Sequence, residues 1–261
     1  MRVVRPNRTK RLLKSGGVAI GVSIASPAPE LVEIAAVAGC DYAILDAEHE
    51  PFDDAQLANL IRAADAFDIT PIVRIARDPD RILRLLDVGA QGIHVPRCSS
   101  VEDMRELVAC TRFFPLGDRT FYRLGRGGNF SYGLSDDEWS RQSNEELLVT
   151  AQVEEASALP RLEPMLGVEG IDVIHVGPKD LWQSLGMPPQ EEVDAAIDQI
   201  ATAVGTSDKC LSFYMQGFNN VQEQIDRCYA RGARMIAIPI LGLLAKETAA
   251  LVQTMRNSNS G

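Results

Sequence analysis

About eight short apolar runs, rich in β-branched residues, recur along the chain with longer stretches of helical spacing between them, and this alternation constrains the fold more than any other feature. The runs expected to be strands are residues 18–24, 42–46, 71–75, 92–95, 147–154, 172–176, 210–214 and 235–239. Strands that alternate with helices build βαβ units and a parallel sheet. Eight such units close on themselves, so the expected fold class is α/β, a (β/α)8 TIM barrel. At 261 residues, 46% of them hydrophobic, the chain suits one domain over 1–261 with a sizeable core.

Helix signals fall between the runs. Pro29-Glu30 precedes a stripe of Leu31, Ile34, Ala35 and Ala38 that stops at Gly39, a C-cap signal. Asp53-Asp54 opens a second helix, Asp78-Pro79 a third that closes at Gly89, and Val193, Ile197, Ile200 and Val204 make another clean stripe. One stretch breaks the rhythm. Residues 113–144 are rich in Gly, Arg, Ser, Asp and aromatics and are far longer than an ordinary connection. At the catalytic end of a barrel such an insertion would be a lid or a substrate loop. The tail, Asn257–Gly261, is expected to fray.

A net charge of -10 and a pI near 4.9 argue against nucleic acid or an anionic membrane surface as partner. Any anionic substrate must be drawn in by a local cluster of cations. The five cysteines are scattered with no C-x-x-C pair, which fits reduced thiols in the cytoplasm better than a disulfide or zinc framework. The basic start, Met1-Arg2-Val3-Val4-Arg5, leads into no apolar segment of a signal peptide. No run approaches the roughly 18 unbroken apolar residues of a membrane span.

Chemistry gathers where the runs end. Gln152-Val153-Glu154 closes one strand, and Gly177-Pro178-Lys179-Asp180 follows the next. Two carboxylates delivered to the mouth of a barrel suit a hard divalent cation, Mg²⁺ or Mn²⁺ with Co²⁺ as a further candidate, and leave positions for a chelating substrate. Taken singly, Glu154 could be a solvated strand end and Asp180 an N-cap. The Gly177-Pro178-Lys179 turn brings backbone N–H groups at a helix start near those carboxylates, a seat for a substrate carboxylate. Gln152, on the same side of its strand as Glu154, could orient a water or a carbonyl.

His49 follows a strand end among Asp46, Glu48 and Glu50, a setting that suits a general acid or base. His94 and His175 lie inside apolar strands, where packing is the favoured reading. Arg74 ends an otherwise apolar strand and needs a partner there. A developing enolate oxygen is one candidate and a structural carboxylate inside the barrel the other. By pattern alone, Asp87 near a helix C-terminus reads as solvated.

Taken together, these residues resemble the HpcH/HpaI aldolase family, the metal-dependent pyruvate aldolases to which macrophomate synthase is a divergent relative. The family's D-x-E-H-x-P stands as Asp46-Ala47-Glu48-His49-Glu50-Pro51, its V-V-R as Ile72-Val73-Arg74 and its L-L-D-x-G as Leu85-Leu86-Asp87-Val88-Gly89. Its V-P is Val95-Pro96, its Q-x-E is Gln152-Val153-Glu154 and its G-P-x-D-L is Gly177-Pro178-Lys179-Asp180-Leu181. The resemblance implies that Glu154 and Asp180 bind the metal, that Arg74 polarises the keto oxygen, that Gln152 helps position pyruvate, and that His49 and Asp87 form an acid/base pair. It also implies a homo-oligomer, a trimer or a hexamer.

The chain departs from the family where an Arg-Gly pair is usual, here Arg119-Thr120, at Lys179 before the metal-binding Asp, at Arg97 after Val95-Pro96, and at Pro239-Ile240-Leu241. The expected activity is a class II carbon–carbon lyase acting on 4-hydroxy-2-oxo acids through a pyruvate enolate. Oxaloacetate decarboxylation or macrophomate-synthase-like bond formation is the alternative, and a non-catalytic ligand-binding barrel the remote one. The cations Arg119, Arg123, Arg126, Lys179 and Arg97 are expected at one barrel end, steering a small anionic substrate: pyruvate or oxaloacetate with an aldehyde or acidic acceptor.

Overall fold

A computed structural model describes residues 4–258. Eight parallel strands form a closed barrel in sequence order: β1 (Ala19–Ile24), β2 (Tyr42–Asp46), β3 (Thr70–Arg74), β4 (Gly92–Val95), β5 (Leu148–Val153), β6 (Val173–Val176), β7 (Cys210–Tyr214) and β8 (Ala233–Pro239). The helices in chain order are α1 (Arg8–Lys14), α2 (Pro29–Val37), α3 (Asp54–Ala66), α4 (Pro79–Asp87), α5 (Val101–Thr111), α6 (Asp136–Glu146), α7 (Leu162–Leu166), α8 (Pro178–Ser184), α9 (Gln190–Gly205), α10 (Val221–Ala230) and α11 (Ile240–Ser258). The expected (β/α)8 barrel is therefore present, with strand limits within a residue or two of those read from the sequence.

Local chemistry explains why the helices start and stop where they do. Asp53 caps α3 in a reciprocal capping box with Gln56, and Asp78 caps α4 with Pro79 at its first turn. Gly39 leaves α2 at φ 92°, a left-handed turn that a Cβ would strain. Strand residues alternate between two cores. One set packs outward against the helices through Leu57, Ile61, Ile82, Leu107 and Ile200. The other, with Tyr42, Ile44, Ile72, Leu148, Val173 and Met235, fills the barrel's N-terminal half.

Short helix α1 closes that end. Leu13 packs into the inner cluster, Lys10 Nζ donates to the Leu147 carbonyl at 2.5 Å, and Thr9 Oγ1 lies 2.9 Å from Thr70 Oγ1. The C-terminal half of the interior is polar instead. Asp46, Arg74, His94, Gln152, His175 and Ser212 sit on neighbouring strands, with Arg74 in register with both Asp46 and His94, and His175 with both Gln152 and Ser212.

Two elements differ from the sequence reading. The 113–144 stretch is not wholly irregular, because Ser135 and Glu138 form a capping box that starts α6, anchored by Trp139 at 1% exposure. In the tail, Asn257 and Ser258 continue α11 as helix, while residues 259–261, like 1–3, lie outside the described residues. Among the described residues no helix is long and apolar enough to cross a membrane.

Candidate active site

The register of β2 and β3 brings Asp46 and Arg74 side by side at the barrel mouth. Arg74 Nε donates to Asp46 Oδ1 at 3.0 Å, and its Nη2 pairs with Asp46 Oδ2. Glu48 Oε2 lies 3.7 Å from the same Nε, and the guanidinium sits 5.4 Å from the centre of the Tyr214 ring. Burial pushes the Asp46 carboxyl up, but the hydrogen bonds and charge of Arg74 outweigh it and hold Asp46 below the usual carboxylate range. Arg74 thus has the structural carboxylate that the sequence left open as a partner. Three of its five N–H groups remain beyond the pair.

Glu154 follows β5, only 3% exposed. One carboxylate oxygen accepts the Arg97 backbone N–H at 2.9 Å and the other meets the Gln152 side-chain nitrogen. Gly177 makes this approach possible, since a Cβ there would lie 2.4 Å from Glu154 Oε2 and 3.0 Å from Gln152 Nε2. Asp180 is the third residue of α8, whose N-cap is Gly177, so it is not the helix cap. No described Lys or Arg side chain forms an ion pair with Glu154 or Asp180. Burial raises the Glu154 pKa, and the charges of Asp180 and Glu48 add to that push against the hydrogen bonds from Gln152 and Arg97. A cation between the carboxylates would reverse it.

A cavity of about 360 Å³ opens over these groups, lined by Glu48, His49, Arg97, Glu154, Asp180 and Gln183 among others. His49 stands on its rim with a side chain 63% exposed and Nε2 3.5 Å from Glu48 Oε2. Its backbone N–H, like that of Glu48, turns back to Asp46 Oδ1. Lys179 is exposed beside Asp180, and Pro178 opens the helix that carries both. The mouth therefore gathers Arg74, Gln152, Glu154, Gly177, Pro178, Lys179, Asp180 and His49.

Asp87 and Arg119 are elsewhere. Helix α4 runs from the mouth back toward the start of β4, so Asp87 at its C-terminus sits at the opposite, N-terminal end of the barrel. The 113–144 insertion joins α5 to β5 and so belongs to that end too, which corrects its expected place over the catalytic face. Each of its arginines is paired there: Arg119 Nη2 with Asp87 Oδ1 at 2.8 Å, Arg123 with Asp136 at 2.6 Å, Arg126 with Asp65, and Arg141 with Glu145 at 2.8 Å. Burial pushes Asp87 up and Arg119 down, each only partly offset by the other. Within one chain the structure does not bring Asp87 to His49, or Arg119 to Lys179. The expected five-cation cluster at one end reduces to Arg97 and Lys179.

Two participants escaped the sequence reading. Glu48 lines the cavity, and its Oε2 is buried without a hydrogen-bond partner. His94, read as packing, lies 2.6 Å from Gln152 Oε1 through Nε2. Period-two alternation was the available signal, since it puts His94 and Arg74 on the inner face of adjacent strands.

A model of the HpcH/HpaI aldolase/citrate lyase family matches residues 20–246. The chain belongs to that family. By membership its reaction class is an aldolase's, the cleavage or formation of a carbon–carbon bond. It is 31% identical over 255 residues to a 2-keto-3-deoxy-L-rhamnonate aldolase of Salmonella gallinarum, covering 95% of this chain and 92% of that protein. Among solved structures, an HpcH/HpaI aldolase from Desulfitobacterium hafniense superposes with a TM-score of 0.87 at 29% identity, over 95% and 96% of the two chains. Citrate synthase SbnG does so with a TM-score of 0.85, also at 29% identity, over 97% and 98%.

Proposed function

We propose that this chain is a divalent-metal-dependent aldolase that cleaves a 4-hydroxy-2-oxo acid to pyruvate and an aldehyde, with a 2-keto-3-deoxy sugar acid as the substrate class suggested by the rhamnonate aldolase. One observation carries the reading: Glu154 and Asp180 converge on one cavity, charge-uncompensated, with His49 at its rim and Arg74 below. Among the described residues no group of three or more His, Cys, Asp or Glu clusters as a metal site. Two carboxylates with open positions nevertheless fit Mg²⁺ or Mn²⁺, which keep several waters and bind through one or two carboxylates plus substrate. Bound there, the cation would supply positive charge to the substrate's keto and carboxylate oxygens.

The chain's own groups account for the rest. Gln152 fixes Glu154 and offers its amide beneath the cavity. Arg74, locked by Asp46, contributes a fixed positive charge for the enolate oxygen without reorganising during the reaction. His49 takes the proton of the 4-hydroxyl. The C3–C4 bond then breaks, the aldehyde leaves, and the enolate takes a proton at C3 to become pyruvate. Lys179 and Arg97 give the rim positive charge for a small organic acid.

Asp87 enters this scheme only through a second copy, because it lies at the other end of its own barrel. Exposed apolar side chains on the insertion at that end, Phe114, Leu124, Phe130 and Tyr132, support a homo-oligomer. The outlying helix α11 does so as well, with Leu244, Leu251 and Met255 exposed. Mixing inactive His49→Ala and Asp87→Asn proteins should restore part of the activity if the two groups meet across subunits.

The decisive experiment follows the methyl protons of pyruvate in deuterated water. Metal-dependent exchange without any acceptor is expected, alongside cleavage of 2-keto-3-deoxy-L-rhamnonate. Absence of exchange with and without Mg²⁺ or Mn²⁺ would refute the enolate reading. Likeness to citrate synthase SbnG favours a second reading, bond formation on oxaloacetate, and fast metal-dependent turnover of oxaloacetate with no cleavage of 2-keto-3-deoxy acids would select it.

A further inference from the structure

Beneath the mouth, the side chains that hold Glu154 form a directed chain. Glu154 Oε2 meets the Gln152 side-chain nitrogen, and Gln152 Oε1 lies 2.6 Å from His94 Nε2. The form of Glu154 that binds a cation is the deprotonated carboxylate, which only accepts. Gln152 must therefore turn its NH2 to Glu154 and its carbonyl to His94. A carbonyl accepts as well, so His94 Nε2 must carry hydrogen. One tautomer, one amide orientation and one carboxylate position specify one another.

The surroundings lock this arrangement. His94 is 1% exposed, and burial together with the Arg74 charge lowers its pKa to about 3, so the ring is neutral and has a single N–H to place. The ring of His175 packs against it at 4.8 Å between centroids, tilted 54°, and is itself held by Ser212 Oγ 2.9 Å from Nδ1.

We propose that His94 is a positioning residue for the candidate metal site: through Gln152 it fixes the Glu154 carboxylate that, with Asp180, would take the cation. The proposal rests on the metal-site reading of those two carboxylates. Without the Nε2–H, the Gln152 amide can rotate and present its oxygen to Glu154, where two acceptors repel. Outer partners of metal ligands typically change affinity by roughly 10–100-fold. A histidine that only packs would change stability instead and leave affinity alone.

The test measures Mn²⁺ affinity of the full-length protein by electron paramagnetic resonance, without substrate, beside the thermal midpoint of the metal-free protein. His94→Leu should weaken Mn²⁺ binding by roughly 10–100-fold. His94→Gln, whose amide nitrogen can reach the Nε2 position, should restore most of it. In a Gln152→Leu background, His94→Leu should have no further effect, because the relay is already cut. A folded His94→Leu protein that binds Mn²⁺ like the wild type would overturn the proposal, and so would equal losses in both backgrounds. If His94→Leu fails to fold, His94→Gln is compared with His94→Asn, whose amide nitrogen falls at the Nδ1 position instead; equal affinities would overturn it. Wild-type protein that binds no Mn²⁺ would remove the metal reading and this proposal together, whereas normal wild-type binding with an indifferent His94 removes the proposal alone.

Discussion

The two ends of this barrel use their charges differently. At the N-terminal end the ions are matched: Lys10 and Arg112 share Asp172, Arg119 takes Asp87, and Arg126 takes Asp65. At the mouth, Glu154 and Asp180 face one cavity with no ion-pair partner, and Glu48 Oε2 is buried without a hydrogen bond. Matched charges settle where chain segments pack. Carboxylates held this close without a countercharge repel one another, and a cation between them would relieve that repulsion.

Substitutions at the mouth should therefore act on chemistry and those at the base on stability, with Asp87 adding an effect on chemistry only where a second copy brings it to His49. The largest effect is expected at the unmatched carboxylates. Glu154→Gln or Asp180→Asn should abolish activity even with excess Mg²⁺ or Mn²⁺, and chelation of the native protein should do the same. Full turnover by metal-stripped protein would erase the contrast between the ends. Next comes His49→Ala, expected to lower kcat by roughly 10²–10⁴, the range of general acid–base catalysis, with Mn²⁺ affinity unchanged. A variant with normal kcat would return His49 to an ordinary rim residue.

How much of this was readable beforehand differs between the ends for a physical reason. Strand periodicity and the ends of strands are local properties, so the barrel and the mouth residues Arg74, Gln152, Glu154 and Asp180 could be placed before any coordinates. The vertical position of Asp87 and of the 113–144 insertion depends on which way a helix runs. Counting βα units gives that direction: a segment after a helix and before a strand belongs to the base. Composition, Arg-rich and Gly-rich, pointed the other way because it resembles a substrate loop. The partners of Arg119 and Arg126 could not be read at all, being about 32 and 61 residues away in sequence. His94 shows a third kind of gap, since a buried strand histidine looks the same in sequence whether it packs or relays a hydrogen bond.

Between the two ends in magnitude lies the Asp87–Arg119 pair, where stability is the readout. Both side chains are largely buried, and burial pushes each toward its neutral form. Asp87→Leu alone should destabilise by about 3–5 kcal/mol because it strands a buried guanidinium, while Asp87→Leu with Arg119→Met should recover most of that loss. Urea denaturation of the two variants checks this. A double variant no more stable than the single one would mean that the pair does more than match charge.

The smallest effect sharpens the comparison, because Asp46 and Arg74 form a matched pair inside the unmatched end. The folded pKa of Asp46 lies below its unfolded value, so the pair adds stability at pH above that unfolded value, near 3.9, and the contribution is lost as pH falls through the folded pKa. Asp46→Asn keeps the shape and removes the charge. At neutral pH it should be less stable than the wild type by about 1.5–3 kcal/mol, the usual scale for a hydrogen bond to a charged group. The gap should then close as the solution is acidified below pH 4, because the wild-type carboxyl becomes neutral too. Denaturation curves for both proteins over that range measure it. A gap that stays constant with pH would show that Asp46 holds Arg74 by shape and hydrogen bonding without its charge.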